Sequence, residues 1–482
     1  MITQVLGAAV EVLDTVPDDV AARTPVVPAA DGGLDRPFTP LEGMLCDLDT
    51  TEFPWTVQIE ARVAGRLDVD AVRSAVVAAL VRHPMGFARR APHGPLDAAY
   101  RWEEAAGLDV DPVVEVVATS DADHAALRDL VLSSRICVDV APLVRAWVMH
   151  RPDGDSLVLA VSHVLADGLG AAPAAIGGGG PGRQGRRRRP RVARRGAAMG
   201  RADDPHRPGR QPRRLRPRQP GAAHAGESDR RRRGRRIDLR CRSTGGRCRQ
   251  CGGGADDVAE GRSGFRLHEL VVDAAGLSSR RHADATTNDL LVAALHLAIE
   301  DHNADHATET DRIGVMMPVN LRPAPWRDEV VVNLASMATV STGVAERETP
   351  APCSTPSPAR PAASSAPVRR ALDVVLAGGG PLPVGLKRFL PMLLPLTGDR
   401  LVDTAVLSNL GRTDPVDFGP EVGPAVELWF SPPARMPLGV GIGAATVDDR
   451  LHLSFRSCGA QFDDAAARGF VETYRRALEF LG

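Results

Sequence analysis

The sequence predicts an α/β protein, because strand-like and helix-like stretches alternate on both sides of one tract of unusual composition. Apolar runs and apolar–polar alternations of strand length recur from Trp55 onward, and helical periodicities stand between them. The chain has 482 residues, 43% of them hydrophobic, which is enough apolar material for two or three core-sized units. The tract at 177–262 divides it into an N-terminal half, 1–176, and a C-terminal half, 263–482.

In the N-terminal half, a loose lead-in at 1–36 precedes a helix capped by Thr39 or Asp35. The alternation of apolar and polar residues over 55–65 then predicts a strand. The other predicted elements are a helix at 69–83 capped by Asp68, strands at 100–103 and 113–117, a helix at 121–134, and a hairpin of 142–149 and 156–161 across the turn 152–155.

In the C-terminal half, ordinary patterning resumes at Gly264. The stretch 349–367 is rich in Pro, Ser and Ala and predicts a low-complexity loop, and the apolar segment 384–396 is interrupted by prolines and too short to span a membrane. The predicted elements are strands at 265–272, 313–319 and 403–409, a helix at 288–303 capped by Thr286 or Thr287, a hairpin of 438–447 and 450–457, and a closing helix at 464–480 capped by Asp463.

A group of polar residues follows the apolar strand predicted at 157–161. Ser162 and His163 come first, and Asp167 and Gly168 stand four and five residues after the histidine. A histidine at the end of a buried strand, with a carboxylate four residues on, is a common way to aim an imidazole into a cleft. We interpret His163 as a general base and Asp167 as a structural brace of its loop. The alternative is a polar strand end closed by turn residues.

This stretch resembles the His-His-x-x-x-Asp-Gly signature of the chloramphenicol-acetyltransferase-like superfamily. That group includes condensation domains of peptide synthetases, polyketide-associated acyltransferases, and wax ester synthase/diacylglycerol acyltransferases. Ser162 stands in place of the first histidine, and His163 matches the second, which carries the chemistry in the family. Three further stretches resemble family landmarks in the family's order, and they are 286–291, 318–322 and 408–411.

The resemblance implies a two-subdomain sandwich of the chloramphenicol-acetyltransferase-like type, with the active site in the cleft between the halves. It implies an acyltransferase that moves an acyl group from a coenzyme A or carrier-protein phosphopantetheine thioester to a hydroxyl or amine acceptor. The thioester is a co-substrate, and neither a bound cofactor nor a metal is expected. The implied partners are the small-molecule donor and acceptor, an acyl carrier protein, and, as lipid substrates would favour, a membrane surface in peripheral contact.

The resemblance also assigns supporting residues. Arg322 would pair with Asp167 across the two halves, since a buried carboxylate needs such a partner. Gly168 would support the loop, and Asn409 would lie in a floor loop near the acceptor channel. The alternatives are a solvated arginine after a strand for Arg322 and a turn asparagine for Asn409.

The tract 177–262 differs in composition from the rest of the chain. Within it, residues 183–250 contain 25 Arg, five acidic residues and few large apolar ones, so they cannot bury a core. Reading GC-rich codons out of frame yields mostly Arg, Gly, Pro and Ala, and we interpret the tract as a reading-frame slip. A genuine disordered basic linker is the alternative, and translating the DNA in its other two frames distinguishes them. An inactive product of such a gene, or a non-catalytic condensation-like binding module, is therefore the rival to an acyltransferase.

Composition argues against several other function classes. The arginine tract has no lysine and no aromatic residue between 183 and 250, unlike typical nucleic-acid binders. Cys248 and Cys251 form a Cys-x-x-Cys pair without a second ligand pair, so no zinc site is predicted. The seven cysteines are scattered, and the N-terminus does not resemble a signal peptide. We expect a cytoplasmic protein.

Overall fold

The computed structural model describes residues 34–83, 85–171, 264–280, 285–306, 311–320, 333, 335–344, 347, 382–389, 403–434 and 439–481. The tract 177–262, the loop 349–367, most of the lead-in, Arg322 and the end of the segment 384–396 lie outside these residues. Within them, strands and helices alternate along both halves, so the predicted α/β class is confirmed.

Most predicted elements are present within one or two residues of their predicted ends. The strands are β1 (Arg36–Pro37), β2 (Thr56–Val63), β3 (Ala88–Arg90), β4 (Arg101–Glu104), β5 (Val113–Val117), β6 (Val144–His150), β7 (Ser156–Ser162), β8 (Phe265–Asp273), β9 (Arg312–Asn320), β10 (Ala335–Gly343), β11 (Ala405–Thr413), β12 (Ala425–Ser431), β13 (Val440–Val447) and β14 (Arg450–Cys458). The helices are α1 (Pro40–Leu48), α2 (Val69–Arg82), α3 (Asp121–Ser133), α4 (Gly168–Ala171), α5 (Ala274–Arg280), α6 (Thr287–Asp305), α7 (Val384–Lys387) and α8 (Asp464–Leu481).

The helix starts follow the caps that the sequence predicts. Thr39 caps α1 in a capping box with Glu42, and Asp68 accepts hydrogen bonds from two backbone N–H groups at the start of α2. Thr286, rather than Thr287, caps α6, again in a capping box, with Asp289 as the returning partner. Local side-chain chemistry therefore sets these boundaries.

The N-terminal half is built on a five-stranded sheet in the order β12-β2-β7-β6-β5. Along β2, Val57, Ile59 and Ala61 belong to the larger apolar core, whereas the alternate residues Glu60 and Arg62 form ion pairs. A smaller sheet of β1, β4 and β3 contributes the fully buried Trp102 to this core.

The C-terminal half is built on a six-stranded sheet in the order β10-β9-β11-β13-β14-β8. Helices α6 and α8 pack together, and the hydroxyl of Tyr474 in α8 donates to the carbonyl of Leu291 in α6 over 3.0 Å. Strand β9 pairs with β11 only at Val315 and Met316. Pro318 lies beyond this pairing, as expected for a residue without a backbone N–H.

Strand β12 comes from the C-terminal half but completes the sheet of the N-terminal half. It runs antiparallel to β2, with Glu427 opposite Arg62 and Ser431 opposite Gln58. Its Phe430 is buried in the larger core, and its backbone lies so close to β13 that a side chain at Gly443 would overlap the Phe430 carbonyl. The predicted division at 177–262 therefore divides the sequence, whereas the five-stranded sheet takes strands from both sides of it.

Helix α3 of the N-terminal half covers the edge strand β8 of the C-terminal half. Ser133 Oγ accepts from the backbone N–H of Phe265 over 2.9 Å, and Asp129 Oδ1 accepts from that of Leu267 over 3.2 Å. Four helical residues span about 6 Å and two strand residues about 6.6 Å, so the two periodicities match. Two backbone N–H groups on the open edge of β8 are thereby satisfied by side chains of α3.

Nearby, buried charges join the same elements. Arg62 in β2 pairs with Glu60, with Glu269 in β8 and with Glu427 in β12, and Arg128 in α3 pairs with Glu60 and Glu269. Burial favours the protonated form of Glu60, but Arg128, Arg62 and a hydrogen bond with His124 outweigh it and hold the pKa of Glu60 well below its usual range. No helix of the described ranges has the length and apolar character needed to cross a membrane.

Candidate active site

His163 directly follows the fully buried strand β7, where the ladder with β2 ends. Its backbone N–H donates to the carbonyl of Trp55 over 2.8 Å, as one more contact of that ladder. The backbone N–H groups of Leu165 and Ala166 then both donate to the carbonyl of Ser162, over 3.0 and 3.3 Å, and close a tight turn. The sequence pattern thus places the histidine at a strand end, with 8% of its surface exposed.

The environment of the imidazole favours its neutral form. The Trp55 ring lies 5.8 Å from it between centroids, and Nδ1 is buried without a hydrogen-bond partner among the described residues. Burial lowers the pKa of His163 from 6.5, while the charge of Asp167, nearby carbonyl groups and the Asn333 amide act in the opposite direction. A neutral imidazole at pH 7 is the form that a general base requires.

Asp167 is buried at the start of α4. Its Oδ1 accepts from the backbone N–H of Gly170 over 2.7 Å, and its carbonyl accepts from that of Ala171 over 2.8 Å. These contacts fix the turn into α4, which is what a brace would do. Because Arg322 lies outside the described residues, its pairing with Asp167 remains a prediction.

Gly168 lies against β12. A Cβ at this position would come within 2.8 Å of Cζ of Phe430 and within 3.8 Å of a methyl group of Leu410. The ring of Phe430 is buried in the core and held by its own strand, so it cannot move away easily. Glycine at 168 therefore permits the close approach of the C-terminal half to the His163 loop.

Asn333 was not predicted from the sequence, yet it holds the His163 loop. Its Nδ2 donates to the carbonyl of His163 over 2.9 Å and to that of Val164 over 3.0 Å. The residue belongs to the C-terminal half and follows the valines 330–332 in the sequence. A single amide inside such an apolar run is the signal that would have identified it.

Asn409 makes its contacts within the C-terminal half. Its Nδ2 donates to Oδ1 of Asn288 over 2.7 Å, and its Oδ1 accepts from the backbone N–H of Gly411 over 2.8 Å. Gly411 has a φ of +83°, and the pairing of β11 with β13 shifts between Asn409 and Arg412. The predicted strand thus continues past Asn409 through an irregular turn rather than ending there. A role at an acceptor channel remains a prediction.

Two curated relatives match the chain over nearly their full length. They are uncharacterized proteins of Mycobacterium tuberculosis, from strains CDC 1551 / Oshkosh and ATCC 25618 / H37Rv. Each is 30% identical over 451 residues, which cover 92% of this chain and 98% of the relative. No protein-family model matches the chain.

Solved structures of two kinds have a similar fold. The first condensation domain of the calcium-dependent antibiotic synthetase, in complex with substrate analogue 2a, has a TM-score of 0.53 at 13% identity, covering 93% of this chain and 96% of that one. The wax ester synthase/diacylglycerol acyltransferase from Marinobacter aquaeolei VT8 has a TM-score of 0.51 at 11% identity, covering 92% and 98%. At such low identity the likeness establishes the fold.

Proposed function

We propose that this chain, which belongs to the family of the two mycobacterial proteins and to the chloramphenicol-acetyltransferase-like superfamily, is an acyltransferase. The predicted two-subdomain sandwich of that superfamily is the fold of this protein. The proposal rests on the place of His163. Its imidazole follows the end of a buried strand, and burial lowers the pKa of that imidazole. Its loop is held by Trp55 from one half and Asn333 from the other.

The proposed reaction needs one base and no covalent acyl-enzyme. Neutral His163 takes the proton of an acceptor hydroxyl or amine as the acceptor's oxygen or nitrogen attacks the thioester carbonyl. Because Nδ1 is buried, Nε2 is the proposed base. The tetrahedral intermediate then expels the thiolate, the carbon–sulfur bond breaks, and the imidazolium returns its proton to that thiolate.

The proposed donor is a thioester of coenzyme A or of a carrier-protein phosphopantetheine arm. The solved structures of similar fold include a wax ester synthase/diacylglycerol acyltransferase and condensation domains of an antibiotic synthetase and of a polyketide synthase. These two kinds of protein are the reason why both donor types belong to the proposal, with a carrier protein as a partner of the second.

Replacing His163 with alanine tests the proposal. Single-turnover release of thiol from a mixed acyl-CoA panel, followed with dithiobis-nitrobenzoate, should fall by about 10²–10⁴-fold while the melting temperature is kept. In the parent, the acid limb of the rate profile should lie below pH 6.5, because the lowered pKa of His163 keeps it neutral to lower pH. The exposed His93 supplies the control, since His93→Ala should keep full activity. A His163→Ala protein with near-parental turnover would remove His163 from the mechanism.

A non-catalytic binding module, or an inactive product, is the second candidate. It is favoured by the sequence after α4, where the arginine-rich tract begins within a few residues. The match to the mycobacterial relatives covers 92% of this chain and therefore runs across the position of the tract. Stoichiometric binding of acyl-CoA by the parent without any thiol release would favour this candidate over the enzyme.

We also propose a peripheral membrane contact around α7. Leu96, Leu386 and Phe389 are 84%, 55% and 45% exposed, and backbone hydrogen bonds of 2.8 and 2.9 Å hold α7 against the loop that carries Leu96. Lys387 and Arg388 supply positive charge beside these apolar groups, and the sequence continues as an apolar segment to 396. An apolar patch with adjacent cations suits the surface of an anionic bilayer.

Flotation with phosphatidylserine-containing vesicles tests this contact. The parent should float with anionic vesicles and much less with neutral ones, and Leu386→Asp should weaken flotation. Phe480 is exposed at the end of α8, so Phe480→Asp is the control and should leave flotation unchanged. A parent protein that stays wholly in the aqueous fraction contradicts the contact and leaves α7 a packing role.

A further inference from the structure

Arg456 is a fully buried arginine that no carboxylate pairs with in the described ranges of the chain. It lies in β14 of the C-terminal half, and its guanidinium stacks on the ring of Phe265, 4.4 Å from the centroid. Burial lowers the pKa of Arg456 to about 9, so the side chain is still charged at neutral pH. A buried charge without a counter-charge costs several kcal/mol, and a residue that serves packing alone would be apolar.

The guanidinium reaches three carbonyl groups of the N-terminal half. Nη1 donates to the carbonyl of Thr56 over 3.1 Å, and Nη2 donates to those of Leu132 over 2.8 Å and Pro54 over 3.4 Å. Leu132 lies in the last turn of α3, where carbonyls lack helical partners and a cation is favourable. Pro54 and Thr56 are the two residues on either side of Trp55.

Trp55 fixes the backbone N–H of His163. Its carbonyl accepts from the His163 N–H over 2.8 Å, and its ring lies against the imidazole. Its own N–H donates to Asp49 over 2.8 Å, and Asp49 pairs with Arg135. The peptide groups around Trp55 are thus held by Asp49 from one side and by Arg456 from the other.

We infer that Arg456 is a positioning residue for His163: from the C-terminal half it fixes the segment 54–56, and through Trp55 it sets the place of the imidazole. The inference rests on the proposed function of His163 as a base. A displacement of a catalytic group by about 1 Å can reduce a rate about 100-fold. Loss of the guanidinium should therefore lower kcat with little effect on KM, and should let water reach the ring.

Hydrogen exchange tests the inference without any need for activity. In Arg456→Lys, one ammonium nitrogen replaces the two guanidinium nitrogens that reach the carbonyls, and it cannot stand in both of their positions. The hold on 54–56 is then weakened, so the peptide over 157–168 should exchange about tenfold faster or more. The peptide over 464–481 should be unchanged, and the partly exposed Arg475, which pairs with Glu472, supplies the control variant Arg475→Lys. Arg456→Met removes the buried charge at similar volume, and it is the second variant where the lysine protein fails to fold. If a folded variant of Arg456 shows faster exchange at 54–56 and the end of α3 but parental exchange at 157–168, the residue is only a tie between the halves and the inference is wrong.

Kinetics separate the inference from the proposed function. The expected result is a kcat of Arg456→Lys that is lower by about 10–100-fold with KM within about twofold, and an acid limb moved up toward pH 6.5 because desolvation of His163 is relieved. An inactive His163→Ala beside an Arg456→Lys of parental kcat and parental acid limb overturns the inference alone. An active His163→Ala overturns the proposed mechanism, and the exchange at 157–168 then still decides whether Arg456 places the loop.

Discussion

The turn at Asn409 lies within strand β11 and the loop at His163 follows strand β7, and the two are held in different ways. The Asn409 turn is held by its own side chain, which contacts Gly411 two residues away and Asn288 in the same half. The His163 loop is held through its backbone by Trp55 before it and by Asn333 from the other half, and Gly168 lies against β12. The position of His163 therefore depends on how the two halves meet, whereas the shape of the Asn409 turn does not.

This difference has a physical consequence for the two sites. A turn closed by its own asparagine keeps its geometry as long as its strand is folded, because the partners are covalently close. A loop held across an interface moves whenever the interface moves. The structure places buried charges, β12, Arg456 and the contact of α3 with β8 along that interface. These features keep the halves in one arrangement around the loop.

The matched substitutions Asn333→Asp and Asn409→Asp should show the largest contrast. Asn333→Asp replaces the donor to two carbonyls with a carboxylate that repels both, so kcat should fall about 100-fold and the unfolding free energy should fall by about 1–3 kcal/mol. Asn409→Asp keeps the acceptor for Gly411 and loses only the contact with Asn288. It should cost about 1 kcal/mol of stability, and kcat should stay within about threefold.

Steady-state kinetics and chemical denaturation of both variants check this contrast. Equal losses of kcat would mean that the two turns contribute alike to the site, and the distinction between them would then be wrong. An Asn333→Asp protein with parental kcat would show that the hold from the C-terminal half does not matter for the reaction.

The difference between contacts within a few residues and contacts between the halves also explains which features the sequence predicted and which it missed. Caps and alternations act within a few residues, so α1, α2, α6 and the β6–β7 hairpin were predicted and are confirmed. Strand β12 was missed although Gly423-Pro424 and Pro432-Pro433 bound it, because its partner β2 is more than 350 residues away in the sequence. His163 and Asp167 stood out as polar residues after a buried strand. Asn333 and Arg456 act on residues of the other half. The apolar run around Asn333 marks that amide as unusual, but a local pattern does not show which residues it or Arg456 contacts.

A double-mutant cycle of Asp167→Asn and Arg322→Gln tests whether Asp167 only caps its own turn or also pairs with a residue of the C-terminal half. Asparagine keeps an acceptor for the Gly170 N–H but loses the charge. If Arg322 pairs with Asp167, each single variant should lose about 1–3 kcal/mol of stability together with activity, and the coupling should exceed about 0.5 kcal/mol. Denaturation of the four proteins measures it. Coupling below that limit would make Asp167 a local cap alone.

The smallest expected effect has the opposite sign and concerns Asp129, which accepts the Leu267 N–H across the halves. Burial raises the pKa of Asp129 to about 6 from 3.8, against the effects of that hydrogen bond and of neighbouring arginines. The folded state therefore binds this proton more tightly than the unfolded chain, and stability decreases as pH rises from about 4 to about 6 and stays reduced above it. Asp129→Asn keeps an acceptor oxygen without the charge. It should gain about 1 kcal/mol at pH 7.5, after allowance for partial exposure, and nothing at pH 3.5. Melting curves at the two pH values check this, with kcat expected to be unchanged. A variant that is less stable at pH 7.5 would mean that the ionised carboxylate supports the contact between α3 and β8, as the buried pairs of Arg62 do nearby.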